Sequence, residues 1–162
     1  MAINPLKVLF VASEVEGLVK TGGLADVAKA LPQHLAREGH DVRIILPFYQ
    51  TLKRRDEARL LASRWLPTPQ GRDDISYRIY QLELDGICVY LLDCPAYFER
   101  PQLYAENNQA YPDNGERFAF LAAAALHACE QLNFAPDIVH CNDWHTGLLP
   151  LLLKTRHAHN PF

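Results

Sequence analysis

Residues 20–26 combine a lysine, two glycines and an aspartate shortly after an apolar run at 7–13, an arrangement that could bind an anion. Lys20 precedes Gly22 and Gly23, and Asp26 follows them within one helical turn. Because glycine lacks a Cβ, the backbone there can approach a ligand closely and adopt positive φ angles. A helix starting after the glycines would add unpaired N–H groups and the positive end of its dipole, which favour phosphate. Lys20 would add a compact cation.

The same stretch also admits a purely structural interpretation. The nucleotide-binding patterns G-x-G-x-x-G and G-x-x-x-x-G-K-[ST] are both absent. The glycines could simply form a tight turn, with Lys20 as a solvated surface residue. Asp26 could interact with the helix dipole or accept a hydrogen bond from a sugar hydroxyl. The residues alone leave these alternatives open.

A second chemical cluster lies in the segment H-C-N-D-W-H-T-G, residues 140–147, where Asp143 and His145 flank Trp144. In a functional interpretation Asp143 and His145 face the same cleft as Lys20, since a carboxylate beside an aromatic ring suits the hydroxyls and ring face of a sugar. In a structural interpretation Asp143 caps the next helix and Trp144 packs in the core.

A third stretch, Y-P-D-N-G-E-R-F-A-F at residues 111–120, opens an Ala- and Leu-rich helical pattern. Tyr111, Asp113 or Asn114 could serve a cleft that accepts a substrate. Capping of the helix by Asp113 or Asn114 explains the same residues nearly as well. His127 lies further along the apolar helix, and we predict that it packs there rather than binds a ligand.

Alternating strands and helices must position these groups. The run K-V-L-F-V-A-S is typical of a buried parallel strand, and the apolar spacing of three and four after it predicts an amphipathic helix. Pro32 should kink or locally break that helix, and Asp85-Gly86 predicts a hairpin turn. The predicted elements are a strand at 7–13, a helix from 24 to about 39, a strand at 41–49, a loop at 50–74, a hairpin at 76–93, a loop at 94–112, a helix at 114–132, a strand at 137–141 and a helix from about His145.

This order predicts a Rossmann-like α/β fold: a mostly parallel sheet with an antiparallel hairpin at one edge and helices on both faces. The first fifty residues form a βαβ unit, whose crossover should be right-handed. In such sheets ligands bind beyond the carboxyl ends of the strands, near a topological switch point. The loops that carry Lys20 and Asp143 both fall there.

Length and composition limit the classes of function. The chain has 162 residues and a formal net charge of -3, so we expect one domain and no large nucleic-acid surface. Its apolar runs fall short of the ~20 residues of a membrane span, and its four cysteines form no C-x-x-C pair. We therefore predict a cytoplasmic protein with free thiols, no metal and no cofactor. The chain ends after a helical pattern without a closing strand, which suggests a piece of a longer protein.

Three segments together resemble bacterial glycogen synthases and plant starch synthases. The first, residues 7–49, contains K-T-G-G-L-A-D-V, the hallmark of that family. The second is P-D-I-V-H-C-N-D-W-H-T-G-L-L-P-L-L-L-K at 136–154, and the third is the segment 111–120. The segments occur in the family's order, and the resemblance covers essentially the whole chain.

The resemblance implies that residues 1–162 are the N-terminal Rossmann-like domain of a retaining GT-B glucosyltransferase that needs no metal. Such an enzyme moves glucose from ADP-glucose, or UDP-glucose in some members, to the non-reducing end of an α-1,4-glucan. Lys20 would then contact the donor phosphates beside Gly22 and Gly23. Asp26 would lie near the sugar and the acceptor, and Asp143 in the acceptor region.

The resemblance also implies that a C-terminal nucleotide-binding domain and a downstream T-x-H-N segment are missing, so we expect little or no transferase activity from this chain alone. Asn142 stands where a histidine is frequent in the second signature. A non-catalytic glucan- or nucleotide-binding domain is the main alternative. An NAD-dependent oxidoreductase is disfavoured, because G-x-G-x-x-G is absent and the second strand runs into Leu46-Pro47.

Overall fold

The structure is a computed structural model that describes residues 4–161. The strands are β1 (Lys7–Val11), β2 (Asp41–Pro47), β3 (Arg59–Pro67), β4 (Asp74–Leu84), β5 (Ile87–Asp93), β6 (Ala105–Glu106), β7 (Gln109–Ala110) and β8 (Ile138–Cys141). The α-helices are α1 (Leu24–Arg37), α2 (Pro95–Phe98), α3 (Asn114–Gln131) and α4 (Leu149–Thr155), and 3-10 turns cover Arg55–Glu57 and Trp144–Thr146. Six strands form one sheet in the order β3-β4-β5-β2-β1-β8.

The centre of the sheet is parallel and buried on both faces, as its continuous apolar runs predict. Strand β1 pairs in parallel with β2 and with β8, and β2 pairs in parallel with β5. Leu9, Phe10 and Val11 are fully buried, as are Ile45 and Leu46. The predicted fold class is confirmed, including the parallel βαβ unit and the hairpin that turns at Asp85-Gly86.

The two crossovers place a switch point between β1 and β8. From β1, helix α1 leads to β2 on one side, whereas α3 leads from β5 back to β8 on the other side of β1. Because parallel crossovers are right-handed, connections that run in opposite directions put their helices on opposite faces. The loops after β1 and β8 therefore flank the crevice at the switch point, which is where ligands bind in such sheets.

Two local predictions were wrong. Residues 50–74 are not all loop, because β3 adds an antiparallel edge strand next to β4. A register shift between Leu60 and Ala62 interrupts its alternation of buried and exposed residues, which hid the strand in the sequence. Of the kink or local break expected at Pro32, the break does not occur, because α1 runs without interruption through this buried residue; the kink stays a prediction.

The later segments also differ in detail from the prediction. The loop at 94–112 contains α2 and the small β6–β7 ribbon, and the last helix begins at Leu149, after a 3-10 turn. The four cysteines are free thiols. None of the helices formed by residues 4–161 combines the length and the apolar character needed to cross a lipid bilayer.

Candidate functional site

The Lys20 loop and the Asp143 loop leave neighbouring strands of the sheet. Val11 is in register with Cys141 at the carboxyl ends of β1 and β8. Asn142 ties the two loops together, because both its backbone N–H and its side-chain amide donate to the carbonyl of Val11, at 3.2 and 3.0 Å. The residue that departs from the family signature thus has a structural role between the two loops.

Glu14 occupies the inner side of the Lys20 loop. Its side chain is buried, at 3% exposure, and its carboxylate accepts hydrogen bonds from the Thr21 N–H, from the Thr21 hydroxyl at 2.7 Å and from the Gly22 N–H at 3.3 Å. The Tyr104 hydroxyl donates to the same carboxylate at 2.6 Å. Burial alone would raise the pKa of Glu14, but these hydrogen bonds outweigh it and lower the pKa below its usual range.

Lys20 is exposed, and two carboxylates share its ammonium group. Its Nζ lies 2.6 Å from Asp26 and 3.0 Å from Glu16. The hydrogen bonds to Asp26 and then to Glu16 raise the pKa of Lys20. Lys20 and Asp26, which the sequence assigns to the same candidate anion-binding stretch, form an ion pair in the structure.

Gly22 and Gly23 leave open space in front of the loop. Neither residue has a positive φ angle, unlike Gly17 at +93°, so the loop does not use the freedom of glycine to adopt positive φ at these positions. A Cβ added at either position would meet no atom within 4 Å. Gly23 is the N-cap of α1 and no side chain caps the helix there. The chain's own packing therefore does not require glycine at these positions.

Asp143 holds a backbone conformation that non-glycine residues rarely adopt, with φ 62° and ψ 178°. Its carboxylate accepts a hydrogen bond from the Trp144 N–H at 2.6 Å, so it caps the 3-10 turn. Trp144 is 55% exposed rather than part of the core. The turn therefore presents an indole and a carboxylate together at the surface.

His145 lies behind this turn, and Tyr104 packs against it. The imidazole is 4% exposed, and its ring centre is 3.9 Å from that of Trp144 and 4.6 Å from that of Tyr104. Among residues 4–161 neither of its ring nitrogens has a hydrogen-bond partner. Burial lowers the pKa of His145 to about 4, so the ring is neutral near pH 7.

The third predicted segment supports the site from behind. Asp113 occupies the N-cap of α3, but its carboxylate binds Arg100 instead of the helix backbone. Asn114 donates to the carbonyl of Tyr104 at 2.8 Å. The fully buried Arg117 donates to the carbonyl of Leu103 at 2.8 Å. These contacts fix the segment that carries Tyr104.

Further along α3, His127 packs as predicted, with its Nδ1 2.8 Å from the Tyr77 hydroxyl. Before the start of α3, the ring of the half-buried Tyr111 lies against Arg117. The ring centre is 5.0 Å from the Arg117 guanidinium carbon. Tyr111 therefore stacks on the buried cation within the chain.

Sequence reasoning missed the two residues that connect these parts, Glu14 and Tyr104. A polar residue directly after a buried strand was a usable signal for Glu14. Tyr104 gave no such signal, because it lies in a loop 90 residues away from its partner. A cavity of about 500 Å³ is lined by Lys20, Thr21 and Tyr104, but not by Asp143.

Comparison with known proteins adds independent findings. The sequence model of the starch synthase catalytic domain matches residues 7–162. The glycogen synthase of Aeromonas salmonicida is 85% identical over 162 residues, which is 100% of this chain and 33% of that protein. The glycogen synthase of Photobacterium profundum is 59% identical over 159 residues, which is 98% of this chain and 31% of that protein. The chain thus spans about a third of the length of the curated relatives it matches.

A solved structure shows the same fold. It is the catalytic domain of starch synthase IV from Arabidopsis thaliana, bound to ADP and acarbose. The TM-score is 0.86 at 30% sequence identity, and the match covers 96% of this chain and 31% of that one.

Proposed function

The chain belongs to the starch synthase catalytic domain family, and from this premise we propose that residues 1–162 are the N-terminal domain of a cytoplasmic glycogen synthase. The complete enzyme has a second, nucleotide-binding domain across a cleft. It transfers glucose from ADP-glucose to the non-reducing end of an α-1,4-glucan, with retention, and releases ADP. Support comes from the 85% identical glycogen synthase and from the starch synthase IV bound to ADP and acarbose.

The observation that carries this proposal is the position of the Lys20 and Asp143 loops at the carboxyl ends of neighbouring strands. A donor sugar nucleotide between the domains would meet the Lys20 loop, and a glucan acceptor would meet the Asp143 loop. Cleavage of a glycosyl–phosphate bond builds negative charge on the leaving diphosphate. Preorganised cations and N–H donors lower the barrier of such a step.

Lys20 and the start of α1 serve the diphosphate in this proposal. The amides of Thr21 and Gly22 already bind Glu14, so the helix start after Gly23 is the part of the loop that faces the donor. The open space at Gly22 and Gly23 lets a phosphate approach the backbone. Lys20 exchanges Asp26 for a phosphate oxygen, and the released Asp26 carboxylate accepts a hydrogen bond from a sugar hydroxyl.

Asp143 and Trp144 serve the acceptor. The exposed indole offers a flat face to a glucose ring, and the adjacent carboxylate can accept hydrogen bonds from its hydroxyls. His145 supports the Trp144 ring from behind as a neutral group. We name no nucleophile. Lys20, Gly22, Gly23, Asp26 and Asp143 act as substrate-binding residues, and His145 positions the Trp144 ring.

ADP release from ADP-glucose with glycogen tests the proposal. The full-length protein should turn over, whereas the 162-residue chain alone should not. Replacing Lys20 by Ala in the full-length protein should lower kcat/KM by about 10²-fold, the usual effect of removing one donor to a developing anion. Lys29→Ala is the matched control, because Lys29 lies on another part of α1 and forms an ion pair with Asp85.

Two results would contradict this assignment. Turnover by the 162-residue chain at the rate of the full-length protein would refute the need for a second domain. A full-length protein that binds glucan or ADP without releasing ADP from the donor would be a binding module instead of a transferase. UDP-glucose, assayed in parallel, decides the nucleotide preference.

A further inference from the structure

We propose that Arg117 is a positioning residue of the proposed transferase, which acts from the interior of the domain to hold the Trp144 indole in place. Arg117 lies on α3 and is fully buried. A substrate cannot reach it there, so its effect must pass through other side chains. This role rests on the proposed function, because that function assigns the exposed face of Trp144 to the acceptor.

Arg117 joins three separate segments of the chain. Its Nε donates to the carbonyl of Tyr97 at 2.6 Å, and its Nη1 donates to the carbonyl of Leu103 at 2.8 Å and to the Asn114 side-chain oxygen at 2.7 Å. Asn114 in turn donates to the carbonyl of Tyr104 at 2.8 Å. Because a guanidinium presents its donors in a rigid planar fork, these acceptors are held in one fixed arrangement.

An ion pair does not account for this buried charge. The neighbouring carboxylate of Asp113 pairs with Arg100 instead, and Arg117 forms no ion pair with any residue among 4–161. Burial lowers the pKa of Arg117, because a cation loses hydration in the protein interior. A buried cation without a carboxylate partner is costly to the folded state. This cost favours a role in fixing geometry over a role in stabilising the domain.

Three rings support the Trp144 indole from its inner side. The ring centre of Trp144 lies 3.9 Å from that of His145, 5.0 Å from that of Phe118 and 6.2 Å from that of Tyr104. The Phe118 ring stands at 78° to the indole, an edge-to-face contact. Since Trp144 is largely exposed on its other side, these inner rings set its orientation.

Arg117 reaches two of these three rings. Its guanidinium carbon lies 5.3 Å from the centre of the Phe118 ring, within the range of cation–π attraction. It also fixes Tyr104, because it holds the carbonyl of the preceding residue and orients the Asn114 amide that binds the Tyr104 carbonyl. A change at Arg117 should therefore displace Trp144 through Phe118 and Tyr104 together.

Steady-state kinetics of the full-length protein test this role with Arg117→Lys. Lysine keeps the charge but lacks the planar fork, so it cannot bind all three acceptors in the same geometry. We expect the KM for glycogen to rise about tenfold, within the roughly 10²-fold that a 1 Å misplacement can cost. The KM for ADP-glucose should rise far less, because Glu14 keeps its hydrogen bonds from Thr21 and Gly22.

Arg43→Lys is the matched control for these measurements. Arg43 also lies against an aromatic ring, with its guanidinium carbon 4.0 Å from the centre of Phe134. Its hydrogen bonds go to Asp41 and Tyr90, on strands β2 and β5. Loss of this guanidinium should change the stability of the domain but neither KM.

Tryptophan fluorescence reports on Trp144 without catalysis. The 162-residue chain has two tryptophans, Trp65 and Trp144, so Trp65→Phe leaves Trp144 as the only indole. In that background Arg117→Lys should increase the quenching of Trp144 by acrylamide, because the indole loses packed neighbours, whereas Arg43→Lys should not. A purely structural Arg117 would lower the unfolding temperature without a change in quenching.

Phe118→Leu is a second variant that leaves the hydrogen bonds of Arg117 in place. It keeps a buried apolar side chain but removes the ring between Arg117 and Trp144. It should reproduce the rise in the KM for glycogen and in the quenching, and it carries the test by itself if Arg117→Lys does not fold.

Two results would overturn the positioning role. One is an unchanged KM for glycogen together with unchanged quenching of Trp144 in the folded variants. The other is an equal rise in the KM values for glycogen and ADP-glucose, which would mark a general loosening of the domain. If the full-length protein releases no ADP but Arg117→Lys still increases the quenching of Trp144, the proposed function fails and the hold of Arg117 on Trp144 stands.

Discussion

At the scale of single residues, Glu14 holds the Lys20 loop by hydrogen bonds from within the chain. The sequence indicated an anion beside these amides, and the structure supplies one from the chain itself. The spacing in A-S-E-V-E-G could not reveal which carboxylate turns inward, because Glu14 and Glu16 are only two residues apart. Glu14 is buried and bound by the loop, whereas Glu16 pairs with Lys20.

Replacing Glu14 by Gln should destabilise the domain by about 1–3 kcal/mol, because an amide NH₂ would replace one of the two carboxylate oxygens, each of which accepts two hydrogen bonds. Urea unfolding of the two proteins at pH 7 measures the difference. Glu16→Gln is the control and should change the free energy of unfolding by less than about 1 kcal/mol, as is usual for an exposed ion pair. Equal effects at the two positions would contradict the network.

The pH dependence follows from the sign of the Glu14 shift. The pKa of Glu14 is lowered in the folded state, so its ionised form stabilises the fold above the usual carboxyl pKa of about 4.3. That contribution is lost as the pH falls through the lower folded-state value. The stability advantage of the wild-type protein over Glu14→Gln should therefore shrink below about pH 4.3.

At the scale of elements, the parallel centre of the sheet was predictable and the edges were not. Buried parallel strands such as K-V-L-F-V leave a continuous apolar run in the sequence. Because the carboxyl ends of such strands share one edge of the sheet, the sequence predicted that the Lys20 and Asp143 loops lie close together. Strand β3 left no clean alternation because of its register shift. The pairing of Lys20 with Asp26, and the reach of Tyr104, depend on tertiary contacts that no local pattern encodes.

A substitution in the connection between β1 and α1 can distinguish effects on stability from effects on ligand binding. Gly22 has a negative φ and room for a Cβ, so Gly22→Ala should raise the free energy of unfolding by roughly 0.4–1 kcal/mol through the unfolded state. If the space serves the donor phosphates, ADP affinity should fall at least about tenfold. Thermal unfolding and ADP titration of the full-length protein measure the two effects.

Gly17 provides the contrast. Its φ is +93°, and a Cβ there would lie 3.4 Å from Leu84. Gly17→Ala should therefore lower the free energy of unfolding by about 1 kcal/mol or more. Unchanged ADP affinity in Gly22→Ala would argue that the donor does not approach this backbone.

At the scale of the whole molecule, β8 is an edge strand that carries an exposed apolar residue. Within the described part of the chain its only strand neighbour is β1. Ile138 on β8 is 44% exposed, and Leu148 and Leu151, which follow β8 along the chain, are 43% and 55% exposed. Unpaired edges with exposed apolar side chains are templates for association.

The 162-residue chain should therefore self-associate as its concentration rises, and Ile138→Lys should suppress this because a charge on an edge strand opposes pairing. Sedimentation velocity over a range of concentrations measures both. Val27→Lys is the control, since Val27 is 51% exposed on α1, away from the sheet edge. A chain that stays monomeric at every concentration, or equal suppression by both variants, would contradict this role for β8.

Tyr104 connects the two loops of the site described above. Its ring packs on Trp144 and His145, its hydroxyl is bound to the carboxylate that fastens the Lys20 loop, and the same side chain lines the neighbouring cavity. A shift of this single phenol cannot be confined to one compartment. In the proposed enzyme, binding of one substrate should therefore change the affinity for the other through the Tyr104 side chain, without movement of the sheet.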